Sequence, residues 1–139
     1  MLSYALLAPN PHNLQPWLAD LHTPGQITLS LDAQRLLPAT DPFGRQILMG
    51  AGAFLELLSL AAAERGHRVE LALFPDGLPG PRLDDRPFAR LRLLRVGSAE
   101  IDQHRDGISL TSPLLMGLAK TACLTAAASR RPTPAPPKA

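Results

Sequence analysis

The sequence is short of cysteine and of aromatic residues, and it has no marked excess of charge of either sign. A single cysteine, Cys123, excludes an intramolecular disulfide and a cysteine-rich metal site. Aromatic residues make up only 4 % of the 139 residues, so leucine and alanine must fill most of the core, and both favour helices. The 14 basic and 12 acidic side chains leave a net charge of +2, which gives no reason to expect a nucleic-acid partner.

The sequence also has no recognisable targeting segment. Because no basic run followed by an apolar stretch begins the chain, we predict no secretory signal and expect a cytoplasmic protein. No uninterrupted apolar run reaches the roughly 18 to 20 residues that span a bilayer, so we expect no membrane partner. The chain is long enough for one domain with one modest core.

Residue patterns predict a short helix and a strand pair, followed by a long helix and a second strand pair. This order is typical of an α+β fold rather than of a repeated βαβ unit. The first two strands are close enough in sequence to form a hairpin, whereas a Pro/Gly/Asp-rich connection at 75–87 joins the second pair. The predicted elements are a helix at 2–8, strands at 17–21 and 27–31, a helix at 42–65, and strands at 67–74 and 89–96.

The long helix is predicted from its ends and its composition. Asp41 suits the N-cap position, Pro42 the first helical position and Gly66 the position just after the helix. Residues 46–63 contain one charged side chain, Glu56, so the helix is apolar on nearly every face. Because such a helix must be buried on more than one side, we predict a long buried central helix, or one in a subunit or domain interface.

The character of the chain changes after residue 97. Residues 98–128 form a divergent segment whose Leu/Ala-rich part, from Pro113 onward, is typical of a helix. Residues 129–139 are rich in proline and basic side chains, and we expect this tail to be disordered because it lacks the apolar content to fold.

A cluster of rigid and amide side chains lies between the first helix and the first strand. Residues 9–17 read PNPHNLQPW, and the three prolines stiffen the backbone of this loop. Asparagine and glutamine suit the edge of a planar polar ligand such as a flavin ring, because each amide both donates and accepts hydrogen bonds. A purely structural role, in which the amides cap backbone groups of a helix-to-strand connection, is the alternative.

These residues carry a resemblance to a known family. The run from Tyr4 to Trp17, YALLAPNPHNLQPW, resembles the loop motif of the nitroreductase superfamily of FMN-dependent oxidoreductases. Two further runs, RLLP at 35–38 and DPFGR at 41–45, make the chain similar to the Acg-type branch. The resemblance identifies residues 1–97 as a nitroreductase-like N-terminal half with a partial nitroreductase-like fold.

The resemblance implies a site that lies on this loop and is completed by another protein unit. FMN would be the cofactor, NAD(P)H a possible co-substrate and a small molecule the electron acceptor, with a homodimer or a second nitroreductase-like half as partner. No catalytic side chain and no metal ligand is expected, because the flavin performs the hydride chemistry. The residues implied to bind the cofactor are Pro9, Asn10, Pro11, His12, Asn13 and Gln15, with Gln15 as a brace of the loop.

The chain also departs from the family pattern. Serine is usual at the position of Asn10, and Pro11 lacks a backbone N–H that could meet the ring. The arginine-rich segment with which typical members hold the FMN phosphate is not recognisable, so we expect one half of a flavin site, from a truncated or divergent chain. His12 either touches the flavin or forms hydrogen bonds within the loop, and we favour the second role. A flavin-sequestering protein or a degenerate, non-catalytic interaction protein are the competing functions.

Overall fold

The computed structural model describes residues 1–97 of the chain, so the predicted helix within 98–128 and the predicted disorder of 129–139 lie outside the described residues. The described residues form the α+β fold that the sequence predicts. Two short 3₁₀ turns, Pro11–Asn13 and Ala33–Arg35, lie in the loops. The main elements are helix α1 (Leu2–Ala5), strands β1 (Trp17–Asp20) and β2 (Gln26–Leu31), helix α2 (Arg45–Ala63), and strands β3 (His67–Leu73) and β4 (Ala89–Arg95).

The four strands form one antiparallel sheet in the order β1-β2-β4-β3. The predicted hairpin of β1 and β2 is present, and β3 and β4, the second predicted strand pair, are also paired. Pairing of β2 with β4, in which Ile27 lies opposite Leu91, joins the two hairpins into a single sheet. The period-2 alternation of these strands places their apolar side chains on one face of that sheet.

Helix α2 packs on the apolar face of the sheet and provides the centre of the core. Phe54 and Leu58 of the helix and Leu29 and Leu91 of the sheet are almost completely buried within one apolar cluster. Helix α1 packs against α2, and the ring of Trp17 lies 4.9 Å from the ring of Phe54, centroid to centroid. The described residues are therefore arranged in two main layers, a sheet and a helix.

The start of α2 differs from the prediction at Asp41 and Pro42. The helix begins at Arg45, because Gly44 has the left-handed φ of 65° and interrupts any helical path from Pro42. Asp41 still caps the helix, since its carboxylate accepts the backbone N–H groups of three residues in the first turn. Those contacts are Arg45 at 2.9 Å, Gln46 at 2.9 Å and Ile47 at 3.1 Å.

The burial of α2 confirms the predicted long buried central helix. Eleven of its nineteen residues are buried. By length and composition α2 is, within residues 1–97, the one helix that could cross a bilayer. Packing within the domain covers 61 % of the apolar window, as in the core helix of a globular domain.

Candidate functional site

A shallow groove lies where the motif loop, residues 9–16, meets helix α2. Its volume of about 430 Å³ falls within the range of roughly 300 to 1,000 Å³ that small-molecule sites occupy. The groove is open to solvent along one side. The residues that line it are Pro9, Asn10, Pro11, Gln46, Met49, Gly50 and Ala53.

The floor of the groove is a close contact between the loop and the helix at Gly50. A Cβ atom at this position would lie 3.1 Å from the carbonyl oxygen of Pro9 and 3.3 Å from the Cβ of Asn10. The small residues at 50–53 allow another part of the backbone to lie close to α2, and at Gly50 that part is the motif loop. Because Gly50 has no side chain, the loop can lie this close to α2.

The side chain of Asn10 holds the loop together from within. Its amide nitrogen Nδ2 donates to the carbonyl oxygen of Ala8 at 3.1 Å, and its oxygen Oδ1 accepts the backbone N–H of Gln15 at 2.8 Å. An asparagine amide has a second N–H and a second lone pair, so Asn10 keeps one donor and one acceptor site for a ligand. Asn10 is thus both a brace of the loop and a wall of the groove.

The motif loop is strained at three positions. His12, Asn13 and Gln15 have φ values of 53°, 53° and 47°, in the left-handed region that side chains other than glycine seldom adopt. Such a conformation costs of order 1 to 3 kcal/mol per residue and persists only where surrounding contacts enforce it. The side-chain amide of Gln15 is one such contact, because it reaches both the carbonyl of Leu6 and the side chain of Asn13 at 3.5 Å.

The structure brings three of the six predicted site residues together in the groove. Pro9, Asn10 and Pro11 line it, whereas His12 and Asn13, which are exposed, and Gln15, which is partly buried, are not among the lining residues. The sequence analysis missed the contributions of α2, which are Gln46, Met49 and Ala53. Their spacing of three and four residues places them on one helical face, but the sequence does not indicate which element that face meets.

None of the described residues that line the groove has a charged side chain. The lining therefore suits an uncharged, planar part of a ligand and offers no cation to a phosphate group. Residues 1–97 contain no cluster of three histidine, cysteine, aspartate or glutamate side chains that could hold a metal ion.

The carboxylates with shifted pKa values lie away from the groove. Hydrogen bonds from the Arg86 side chain hold the pKa of Asp84 below its ordinary value, and the backbone N–H of His22 does the same for the pKa of Asp20. Asp84 belongs to the loop between β3 and β4, and Asp20 to the end of β1. Both shifts therefore reflect local turn structure and not the chemistry of the groove.

Comparison with known proteins gives relatives for part of the chain. No protein-family model matches it. It is 42 % identical over 74 residues to a Mycobacterium tuberculosis protein named as the NAD(P)H nitroreductase acg, a match that covers 52 % of this chain and 22 % of that protein. It is 33 % identical over 70 residues to PigM of a Serratia strain, also named as an NAD(P)H nitroreductase, with coverage of 50 % and 20 %.

A third relative is more distant but matches a longer part of the chain. It is an uncharacterised M. tuberculosis protein, 28 % identical over 126 residues, and the match covers 82 % of this chain and 37 % of that protein. The chain spans about a fifth of the length of the two nitroreductase relatives that it matches. Because these relatives are 33–42 % identical over about half of the chain, its N-terminal portion is nitroreductase-like.

Proposed function

We propose that the groove binds the isoalloxazine ring of FMN and that the chain is part of a cytoplasmic, NAD(P)H-dependent oxidoreductase. One observation carries the proposal: the nitroreductase-like loop packs onto α2 so that Pro9, Asn10 and Pro11 line an open, uncharged groove. The names of the relatives, NAD(P)H nitroreductases, support the same reaction class. A bound flavin would supply the hydride chemistry, and the protein would supply binding, orientation and electrostatics.

The residues present fit the ring of the cofactor better than its phosphate. Pro9 and Pro11 offer rigid apolar surface, while Asn10 and Gln46 offer amide groups that suit the donors and acceptors at a flavin edge. No cation lines the groove, so the phosphate would have to be held by a group from outside it. We therefore propose that this chain provides a wall of the ring site and that a second protein unit completes it.

The exposed part of α2 provides a surface for that second unit. Beyond Met49 and Ala53, which line the groove, the same helical face continues through the partly exposed Glu56, Leu57 and Leu60 to the end of the helix. A second depression of about 420 Å³ lies there, lined by Tyr4, Leu57, Leu60, Ala61, Glu64 and Arg65. We propose that a second copy of the chain covers this face, because one unit seated there would also close the open side of the groove.

The proposal is tested by flavin binding to the purified full chain. We expect quenching of flavin fluorescence on titration with protein, and an affinity for riboflavin close to that for FMN if the ring alone is recognised. Met49→Glu places a charge in the groove and should weaken binding by about tenfold, which corresponds to 1.4 kcal/mol. Leu78→Glu is the matched control, because the two side chains are similarly exposed, 60 % and 57 %, and Leu78 is outside the groove.

The outcomes separate the competing functions. Binding together with bleaching of the flavin by NAD(P)H and turnover of a nitro or quinone acceptor would support the oxidoreductase. Binding without bleaching would instead indicate a flavin-sequestering protein. A chain that binds neither FMN nor riboflavin at any protein concentration would contradict both flavin functions and favour a non-catalytic interaction protein.

A further inference from the structure

We propose that Arg35 is a positioning residue for the groove, which it serves by clamping the strained end of the motif loop against the sheet. The proposal rests on the proposed function in one respect, because one of its tests measures the affinity for a flavin. Arg35 lies in the 3₁₀ turn after β2, about twenty residues from the loop it contacts, and it does not line the groove.

The guanidinium of Arg35 contacts both peptide groups that flank the left-handed residue Gln15. Its Nη1 atom donates to the carbonyl oxygen of Leu14 at 3.2 Å and to that of Gln15 at 3.4 Å. Its Nε atom lies 3.2 Å from a carboxylate oxygen of Asp32. The planar guanidinium thus makes two hydrogen bonds through Nη1 and an ion pair through Nε, with three different oxygens.

Asp32 anchors the guanidinium to the sheet. Its backbone N–H donates to the carbonyl of Pro16 at 2.7 Å, and its Oδ1 atom accepts the backbone N–H of Gln34 at 2.9 Å. Its Oδ2 atom faces Arg35. Asp32 therefore stabilises the turn that carries Arg35 and also attaches this turn to the end of the motif loop.

The peptide group between Leu14 and Gln15 links this clamp to the groove. Arg35 holds its carbonyl oxygen, while its N–H donates to Oδ1 of Asn10, whose side chain lines the groove. A change in the orientation of this peptide would therefore release or rotate the Asn10 amide. Because Gln15 is in a costly backbone conformation, loss of the Arg35 contacts should let the peptide relax.

The clamp should affect position more than global stability. The side chains of Arg35 and Asp32 are 55 % and 25 % exposed, and ion pairs at such sites contribute only about 0 to 1 kcal/mol to folding. Lysine would keep the charge but not the forked geometry, so it should not replace arginine. The expected signature is therefore a loosened loop in a protein whose core is unchanged.

The test compares the full-length wild type with Arg35→Lys, using Arg92→Lys on the exposed face of β4 as the matched control. Amide hydrogen exchange is measured at Gln15, and at Leu58 in the core part of α2. We expect exchange at Gln15 to be about five- to tenfold faster in Arg35→Lys, as for the loss of one net hydrogen bond, with Leu58 unchanged. We also expect flavin affinity to fall by a similar factor and Arg92→Lys to behave as the wild type.

Each result decides between a clamp and a surface ion pair. Unchanged exchange at Gln15 in Arg35→Lys would overturn the proposal, as would faster exchange with unchanged flavin affinity. Equally faster exchange at Leu58 would mean a general loss of stability and would also overturn it. If the wild type binds no flavin, the proposed function fails, while exchange at Gln15 and the NMR shift of the Asn10 side-chain amide still show whether Arg35 sets the loop.

Discussion

Gly50 is the residue at which the loop backbone and helix α2 meet, and two opposing effects follow from its missing side chain. Alanine at this position would favour the helix by about 1 kcal/mol relative to glycine. Its Cβ atom, however, would lie 3.1 Å from the carbonyl oxygen of Pro9, closer than such contacts normally are. Pro9 and Pro11 stiffen the loop, so it would have to shift as a unit rather than yield at one atom.

We therefore predict that Gly50→Ala changes the groove more than the stability of the fold. The free energy of unfolding should change by less than about 1 kcal/mol, because helix propensity and the tight contact oppose each other. Flavin affinity, measured by fluorescence titration, should fall several-fold. Gly80→Ala is the control, since an added Cβ there meets no atom within 4 Å. Unchanged flavin affinity in Gly50→Ala would show that the loop does not form the wall of the ligand site.

The sequence identified the loop side of the groove but not the helix side. Pro9, Asn10 and Pro11 stand together in one short motif, so local pattern and resemblance were enough to select them. Met49 belongs to a helix that is apolar on nearly every face, and no periodicity distinguishes the face under the loop from the face against the sheet. Arg35 belongs to the RLLP run that supports the resemblance. Its contacts to Leu14 and Gln15, however, depend on how the end of β2 lies beside the loop, which the sequence does not indicate.

At the scale of elements, the helix start shows how a correct capping residue can lead to a wrong boundary. Asp41 was identified as the cap because an acidic residue before proline favours that position. The structure uses the same carboxylate, but from four residues before the helix, because Gly44 turns the chain through a left-handed conformation. Leu83, in the loop before β4, occupies the space beside Gly44. Any side chain at position 44 would therefore collide with Leu83.

We predict that Asp41→Ala destabilises the domain by about 1 to 2 kcal/mol or more. The substitution leaves three first-turn N–H groups without the buried acceptor that now satisfies them. Urea unfolding followed by circular dichroism measures the effect, with Asp85→Ala in an exposed loop as the control. A change below about 0.5 kcal/mol, as is usual at exposed surface sites, would contradict the capping role.

The pairing within each hairpin was predictable, whereas the pairing between hairpins was not. Alternating patterns are local signals that predicted all four strands, and the short turn between β1 and β2 also predicted how those two pair. Contact of β2 with β4 brings together strands that are separated by α2 and β3 along the chain. No local pattern records that pairing, which arises because both strands bury their apolar face against the same helix.

The loop between β3 and β4 should make the free energy of unfolding depend on pH. Arg86 holds the pKa of Asp84 below its ordinary value, chiefly through side-chain hydrogen bonds, the shorter of which is 2.7 Å. A carboxyl group whose pKa is lower in the folded state stabilises the fold above its unfolded pKa, about 3.9, and this stabilisation is lost as the pH falls through the folded pKa. The same arginine also donates to the carbonyls of Asp76 and Leu78, so the pair organises the whole loop.

We predict that Asp84→Asn lowers the free energy of unfolding at pH 7 by no more than about 1 kcal/mol, because both partners are partly exposed and water screens the pair. The difference from the wild type should shrink below about pH 3.9 and vanish once the wild-type carboxyl is protonated. Urea titrations at a series of pH values measure this directly, with Asp85→Asn as the neighbouring control. A difference that stays constant into acid would show that the charge of Asp84 is not responsible.

At the scale of the whole molecule, the described part of the chain covers only one side of its central helix. The sheet and α1 bury eleven residues of α2, yet Met49 is largely exposed and Leu57 and Leu60 are partly so. Ala53 and Ala61 lie on the same face and are small enough to let another helix approach closely. The groove and the uncovered face lie on the same side of α2, so a second copy seated on that side would cover both.

We predict that the wild-type chain self-associates through this face and that Leu60→Glu prevents it. An isologous dimer would place the substitution twice in one apolar contact, where two unpaired carboxylates would be buried. Sedimentation velocity over a range of concentrations measures the association, and Leu78→Glu, an exposed leucine away from the face, is the control. Flavin affinity should rise with protein concentration in the wild type but not in Leu60→Glu. A wild type that remains monomeric while it binds flavin tightly would show that one chain suffices for the site and that α2 is not closed by a second copy.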